Sequence, residues 1–181
     1  MKNKIPQSAK VVIIGGGVAG CSVAYHLSKF GWKDIVLLER DQLTSGTTWH
    51  AAGLIGQLGS SATITKLRNY SLNLYKQLEI ETGLSTGLKQ NGSLTVATTE
   101  ARLQELKRQV TTAQLFNVEA NQVSKDEIKS LYPLINTEDV IGGVHIPKDG
   151  QADPVGVTNV LAKAAKQNGA NIIEHCSVKK I

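Results

Sequence analysis

Cysteine is scarce in this chain, with only Cys21 and Cys176 among 181 residues. The two lie far apart, one at a predicted helix start and one in a predicted strand. They read as reduced packing residues in an intracellular, reducing compartment, and neither a disulfide framework nor a metal site is expected. Aromatic residues are equally thin, at 4%. The basic excess is modest, 20 Lys and Arg against 15 Asp and Glu for a net charge of +5, and it is scattered along the chain. A nucleic-acid surface needs a clustered basic stripe or a recognised motif, and the sequence has neither. No apolar run approaches the roughly 20 residues of a membrane span, so no membrane contact is expected. Met1 to Ala9 forms a short, mostly polar lead-in that leaves no room for a signal or transit peptide. With 41% apolar and 19% charged residues, the chain reads as globular.

What is present is punctuated by glycine. Val11 to Ile14 is an unbroken β-branched run, the pattern of a parallel strand buried on both faces. Gly15 ends it. Ala19, Val23, Ala24, Leu27 and Phe30 then recur at helical spacing, Gly31 suits a helix C-cap, and Ile35 to Leu38 form a second buried strand. Strand, crossover helix and strand within about thirty residues make a βαβ unit. A small-residue stretch from Thr44 to Gly59 suggests backbone pressed against something flat.

Further on, Ile64, Leu67, Ser71, Leu74, Tyr75 and Leu78 predict an amphipathic helix that closes near Gly83. Gly92 to Thr98 and Val140 to Ile146 read as strands. Between them, Leu103, Leu106, Val110 and Ala113 mark a helix, and Ile128 with Leu131 a short one stopped by Pro133. Asp153-Pro154 is a helix start, with Val157, Leu161, Ala164 and Ala165 on its buried face and Gly169 at its end. Ile172 and Ile173 then return a strand to the parallel sheet. The expected fold class is therefore α/β. A Rossmann-like dinucleotide domain over 1–83 and 148–181 carries an inserted antiparallel sheet with helices over 84–147. The last strand comes close to Ile181, so the chain is expected to be an N-terminal fragment of a larger fold.

Gly15-Gly16-Gly17-Val18-Ala19-Gly20 is a G-x-G-x-x-G placed between a predicted strand and a predicted helix. Gly15 permits the tight turn, Gly17 lets backbone approach a pyrophosphate, and Gly20 lets the helix pack close to the strands. The helix N-terminus offers N–H groups and partial positive charge to the phosphates. Glu39, nineteen residues past Gly20, is positioned to accept from the adenosine ribose hydroxyls. Its charge disfavours a 2'-phosphate, although adjacent Arg40 prevents a clean exclusion of NADP. The βαβ unit by itself leaves NAD and FAD open.

The choice is made by a resemblance. Val11 to Gly20, Leu37-Leu38-Glu39-Arg40, and above all Leu43 to Leu54 (Leu-Thr-Ser-Gly-Thr-Thr-Trp-His-Ala-Ala-Gly-Leu) resemble the sarcosine and dimethylglycine dehydrogenase family, within the D-amino-acid-oxidase-like FAD-dependent oxidoreductases. The likeness continues in Glu81-Thr82-Gly83, Gln90-Asn91-Gly92-Ser93, Leu131-Tyr132-Pro133-Leu134 and Asp149-Gly150 to Asp153-Pro154, and the sarcosine dehydrogenase side of the family is the nearer.

The resemblance implies an FAD enzyme that oxidises the N-methyl group of a secondary or tertiary amine such as sarcosine or dimethylglycine. It implies that His50 carries the flavin covalently through a ring nitrogen, a role open to imidazole because its neutral form is a nucleophile. Val18 and Ala19 would line the pyrophosphate turn and Glu39 and Arg40 would meet the adenosine. Ser45, Gly46, Thr47, Thr48, Trp49, Ala51, Ala52, Gly53 and Leu54 would run beside the flavin end, and Val178 would set backbone against adenine. Trp49 either stacks on the cofactor or fills the core, the usual place of an isolated aromatic. His26, His145 and His175 read as structural. Catalytic groups for the substrate carboxylate and amine are not placed by these residues.

An electron-transfer flavoprotein is the implied electron acceptor. Tetrahydrofolate would belong to a further C-terminal domain, and the location would be cytoplasmic in a bacterium or the mitochondrial matrix in a eukaryote. Three readings compete with this one. They are an NAD-linked dehydrogenase, a non-catalytic regulatory protein that keeps the flavoprotein fold, and a fragment with no ligand.

Overall fold

Val11–Ile14 forms strand β1, and the chain turns directly into helix α1, Val18–Lys29. Gly31, at φ +85°, ends that helix, and Ile35–Leu38 forms strand β2 alongside β1. The computed structural model describes residues 5–181, so the first four residues of the predicted polar lead-in lie outside the described residues. Two compact units result. One runs up to Gly53 and includes Leu74–Leu88 and Ala152–Ile181; the other consists of Leu54–Asn73 and Lys89–Gln151. Relative to the expected insertion at 84–147, Leu54–Asn73 joins the second unit.

After β2, a single turn of 3-10 helix at Thr48–His50 precedes the short strand β3, Leu54–Ile55. Helix α2, Ala62–Thr82, divides its length between the units. The chain continues through β4 (Ser93–Ala97), α3 (Glu100–Gln114), β5 (Asn121–Val123), α4 (Lys125–Leu131), β6 (Gly142–Ile146), β7 (Gly150–Gln151), α5 (Pro154–Gln167) and β8 (Asn171–Ile173).

In the first unit a parallel sheet has the order β1-β2-β8, with Val11 opposite Ile35 and Leu37 opposite Ile172. Helix α1 packs on β1 and β2, α5 on β8, and the two helices on each other. Asp153 caps α5 through its carboxylate, which accepts from the N–H groups of Val155 and Gly156 at 3.0 Å, and Pro154 takes the first helical position. The predicted βαβ unit and the return of the last strand are both present.

Two details differ from expectation. The buried face of α1 is Cys21, Ala24, Tyr25 and Ser28, while Val23 and Phe30, predicted inward, are 48% and 74% exposed. Helix α5, in contact with α1, buries the small Ala162, Ala164 and Ala165 together with Val157, Val160 and Leu161, and closely packed helices favour small side chains where they meet. Second, β1 is not buried on both faces: Val12 and Ile14 are about half exposed. Because Ile13 is the side chain that approaches Gly20 on α1, its neighbours Val12 and Ile14 point to the opposite face of an edge strand.

The second unit holds an antiparallel sheet of order β4-β6-β5, in which β6 pairs Val144 with both Thr95 and Gln122. Leu106 and Val110 of α3 pack with Ala97 and Val144 in its core. Two expected α2 core positions fall outside: Ile64 is 38% and Leu67 57% exposed. Thr65 is buried in their stead, its hydroxyl donating to Ser61 O and accepting from Gly59 N–H, which meets the cost of hiding a polar group.

Candidate dinucleotide-binding site

The turn after β1 is built by backbone close approach. Gly15 adopts φ +110°, a left-handed conformation suited to glycine, and donates to Leu38 O at 2.9 Å. A Cβ on Gly20 would lie 2.0 Å from Gly15 O, so the helix start and the strand end can touch only without a side chain there. Gly16, a free position in the motif, is crowded by side chains rather than backbone, since a Cβ would meet Leu43 Cδ2 at 2.5 Å and Glu39 Cβ at 2.9 Å. Gly17 is the extended N-cap of α1 and has no side chain to close the helix end.

Glu39 sits at the end of β2, and its carboxylate is divided between two loops. Oε2 accepts from Gly16 N–H at 2.6 Å and Oε1 from Asp41 N–H at 2.9 Å. Burial alone would raise this carboxyl, but the N–H groups of Asp41, Gly16 and Arg40, with the Arg40 charge, hold it below its ordinary value. Arg40 is exposed and pairs with Asp41 at 3.1 Å. A cavity of about 280 Å³ opens between the ends of β1 and β2, lined by Ile14, Gly15, Leu38, Glu39, Arg40 and Cys176 to Val178. The structure thus gathers Gly15, Glu39, Arg40 and Val178, which are distant in sequence, around one space. The last segment is tied there by Cys176 N–H to Glu39 O and His175 N–H to Asp41 O, both 2.8 Å.

The second loop reaches the turn through threonines. Thr48 is buried, and its Oγ1 accepts from Val18 N–H, the first amide of α1, at 3.1 Å. Thr44, which the sequence reading did not select, donates its N–H to Gly16 O at 3.1 Å and holds φ +72° while buried. That conformation is strained for a β-branched residue, and only its place in the motif could have signalled it. Ser45, Gly46 and Thr47 are exposed, the Ser45 hydroxyl donating to Gln42 O.

Trp49 is 57% exposed, so the core expectation for this residue fails; its ring sits tilted against that of its neighbour. The Trp49 and His50 ring centroids are 3.7 Å apart with an interplanar angle of 33°. Ala51 and Ala52 are exposed, and Gly53, at φ +71°, lies where a Cβ would be 2.1 Å from Ala152 O. Leu54 begins the second unit in β3, paired with Gln151 and 80% exposed.

Buried beneath the turn, Cys21 Sγ lies 3.7 Å from Gly16 O, and burial, reinforced by the Glu39 charge, pushes its thiol up to about 12. Among the described residues no group of three His, Cys, Asp or Glu could hold a metal ion, and no helix is long and apolar enough to cross a membrane. A glycine turn without side chains, a helix start without acidic residues and a cavity lined by one carboxylate suit the ADP half of a dinucleotide.

Comparison with known proteins agrees with this chemistry. The FAD dependent oxidoreductase family model matches residues 10–181. The chain is 46% identical over 178 residues to human mitochondrial sarcosine dehydrogenase, covering 98% of this chain and 19% of that protein. It is 42% identical over 174 residues to the mouse mitochondrial pyruvate dehydrogenase phosphatase regulatory subunit, covering 96% of this chain and 20% of that one. Among solved structures, L-proline dehydrogenase from P. horikoshii aligns with a TM-score of 0.89 and 30% identity, over 97% of this chain and 46% of its own. The chain therefore spans about a fifth of the length of these curated relatives.

Proposed function

The chain belongs to the FAD dependent oxidoreductase family, and we propose that it supplies the FAD-holding part of a dehydrogenase acting on the N-methyl group of a secondary or tertiary amine such as sarcosine or dimethylglycine. The observation that carries this reading is the pairing of the glycine turn and Glu39 with the Thr48-Trp49-His50 turn. Thr48 joins the two by capping the first amide of α1.

In this reading the backbone of Gly15 to Gly20 holds the pyrophosphate against the N-terminus of α1. Glu39 accepts from the ribose hydroxyls while keeping its bond to Gly16, because each carboxylate oxygen has two lone pairs. Arg40 and Val178 close the adenosine end. His50 supplies a ring nitrogen for a covalent link to the flavin, and Trp49, stacked on it, limits the orientations of the imidazole. When bound, the flavin supplies the two-electron acceptor for the methyl C–H bond. Electrons would leave to an electron-transfer flavoprotein, and tetrahydrofolate, if used, would bind another domain. The location that goes with this reading is the bacterial cytoplasm or a mitochondrial matrix.

Acid precipitation of the protein with its flavin tests the covalent link. Yellow, fluorescent flavin is expected in the pellet for wild type and in the supernatant for His50→Ala, and flavin released wholly from wild type would sink the link. A second reading, a regulatory protein that keeps the flavoprotein fold, is favoured by the likeness to the mouse regulatory subunit. Turnover of an N-methyl amine by the flavin-loaded protein separates the two.

A further inference from the structure

Where β8 ends, the chain that follows it stays bonded to the loop that follows β2. Glu39 N–H donates to Ile173 O at 2.9 Å, and Cys176 N–H to Glu39 O and His175 N–H to Asp41 O at 2.8 Å. These are backbone bonds, open to any residue but proline. The last bond of the series is different, because Leu43 N–H donates to a side chain, Glu174 Oε1, at 2.8 Å. The next residue, Thr44, donates its N–H to Gly16 O at 3.1 Å. Two successive amides are thus held by two anchors, one on the segment after β8 and one on the glycine turn, and Thr44 is fixed at φ +72°. A β-branched residue keeps that conformation only while its surroundings impose it. Beyond Thr44 the loop runs exposed as far as the buried Thr48, two residues before His50. Among the described residues, Ser45, Gly46 and Thr47 have hydrogen bonds only within the stretch from Gln42 to His50. All of these groups belong to the first compact unit.

The loop that carries His50 is therefore fastened near its start by one carboxylate. Resting on the reading above that His50 attaches the flavin, we infer that Glu174 is a positioning residue for that attachment. It holds Leu43 and the strained Thr44 in place, and so presents the His50 imidazole to the flavin. Attachment replaces the imidazole N–H bond and one C–H bond of a flavin ring methyl group by an N–C bond. The two protons and two electrons released pass to the flavin ring, which dioxygen returns to its oxidised form. The rate of that step depends on how often nitrogen and methyl carbon lie in contact. Without Glu174, Leu43 N–H has only water as its partner, Thr44 can relax to negative φ, and the imidazole spends less of its time within reach. Non-covalent FAD binding changes little, since Gly16 keeps its bond to Glu39 and Val18 its bond to Thr48. Glu174 lies at the surface, so the size of the effect is that of one exposed charge-assisted hydrogen bond.

The test mixes flavin-free protein with saturating FAD in air and precipitates samples with acid over time, for wild type, Glu174→Ala and Glu174→Gln. Gln keeps an acceptor oxygen at the same reach; Ala has none. Glu174→Ala should accumulate acid-stable flavin about fivefold more slowly than wild type, with the FAD dissociation constant, read from flavin fluorescence, within about twofold. Glu174→Gln should attach flavin within about twofold of the wild-type rate. An unchanged rate in Glu174→Ala overturns the inference. So does a Glu174→Gln as slow as Glu174→Ala, or a slow rate that recovers at higher FAD, which is a loss of affinity and not of position. Amide hydrogen exchange of flavin-free wild type needs no variant to fold: Leu43 N–H should be protected while Gly46 and Thr47 exchange fast, and fast exchange at Leu43 overturns the inference as well. Wild type that binds FAD but releases all of it on acid treatment overturns the covalent reading itself, and this inference with it.

Discussion

Glu39 Oε2 lies 2.6 Å from Gly16 N, so the carboxylate proposed to read the ribose also pins the turn proposed to hold the pyrophosphate. Recognition and scaffold share one side chain. Its other oxygen holds Asp41 N–H at 2.9 Å, and its backbone N–H donates to Ile173 O, which fixes the end of β2 against β8.

Glu39→Ala should therefore cost stability as well as affinity. Loss of two charge-assisted hydrogen bonds is expected to lower stability by about 1–2 kcal/mol and to weaken FAD binding at least tenfold, with Glu39→Gln between the two. Denaturation with and without FAD checks both effects. The pH dependence follows from the direction of the shift. The folded-state carboxyl is held below its ordinary value of 4.5, so its contribution is complete above that pH and is lost as pH falls through the lower folded value. A melting series from pH 6 to pH 3 should show this loss in wild type and a smaller one in Glu39→Gln.

Much of this arrangement was legible in the sequence because backbone geometry restricts residue type. Gly15 and Gly20 are demanded by a left-handed turn and a contact of backbone with a helix, and Asp153-Pro154 by the start of α5. Other features left no such mark. Gly16 is crowded by the side chains of Leu43 and Glu39, yet the motif treats it as free. The register of α1 turns on Cys21, Ala24 and Ser28, which a reading by hydrophobicity ranks below Val23 and Phe30. Strands β3, β5 and β7 are two or three residues long, too short for an alternating pattern to emerge. Asp149, Gln57 and Thr44 take their roles from partners distant in sequence or from an unusual φ, and neither is readable from one residue at a time.

Trp49→Ala should separate flavin binding from flavin attachment. The stacked indole holds the His50 ring at 3.7 Å, and removing it frees the imidazole without touching the glycine turn. Total FAD per protein is expected to stay near wild type while the acid-stable fraction falls severalfold. Trp49→Phe should restore much of it by keeping a flat ring. Loss of total FAD in step with the acid-stable fraction would mean that Trp49 holds the cofactor directly.

The two cysteines should differ sharply toward a thiol reagent. Cys21 is fully buried beneath Gly16, and burial, with the Glu39 charge, pushes its thiol from 9.0 up to about 12. Cys176 is partly exposed beside Glu39 and Arg40. Near pH 8 one thiol per chain is expected to react rapidly with a thiol-specific chromophore, and FAD should slow that reaction because Cys176 lines the cavity proposed to hold the adenosine. Cys21 should react only on unfolding. Its raised value also gives a sign: the burial contribution is intact below pH 9, where the unfolded thiol begins to ionise, and is lost as pH rises from there toward 12.

Asp149→Asn tests whether the second unit depends on one acceptor. The buried carboxylate takes Gln57 N–H on one oxygen and Ser93 O–H on the other, and its backbone oxygen accepts from Gly92 N–H at 2.8 Å. An asparagine is isosteric, but one of its two positions is a donor. Placed toward Gln57, that NH₂ group meets an N–H that cannot turn away; placed toward Ser93, it meets a hydroxyl that can rotate to accept. The substituted chain should choose the second arrangement, so the start of β4 bears most of the change and the loss should fall at about 1–2 kcal/mol. Ser93→Ala in the Asp149→Asn background should then cost less than in wild type, since the bond it removes is already weakened. A double-mutant cycle on thermal denaturation measures that coupling, and strict additivity would show that Ser93 does not depend on Asp149.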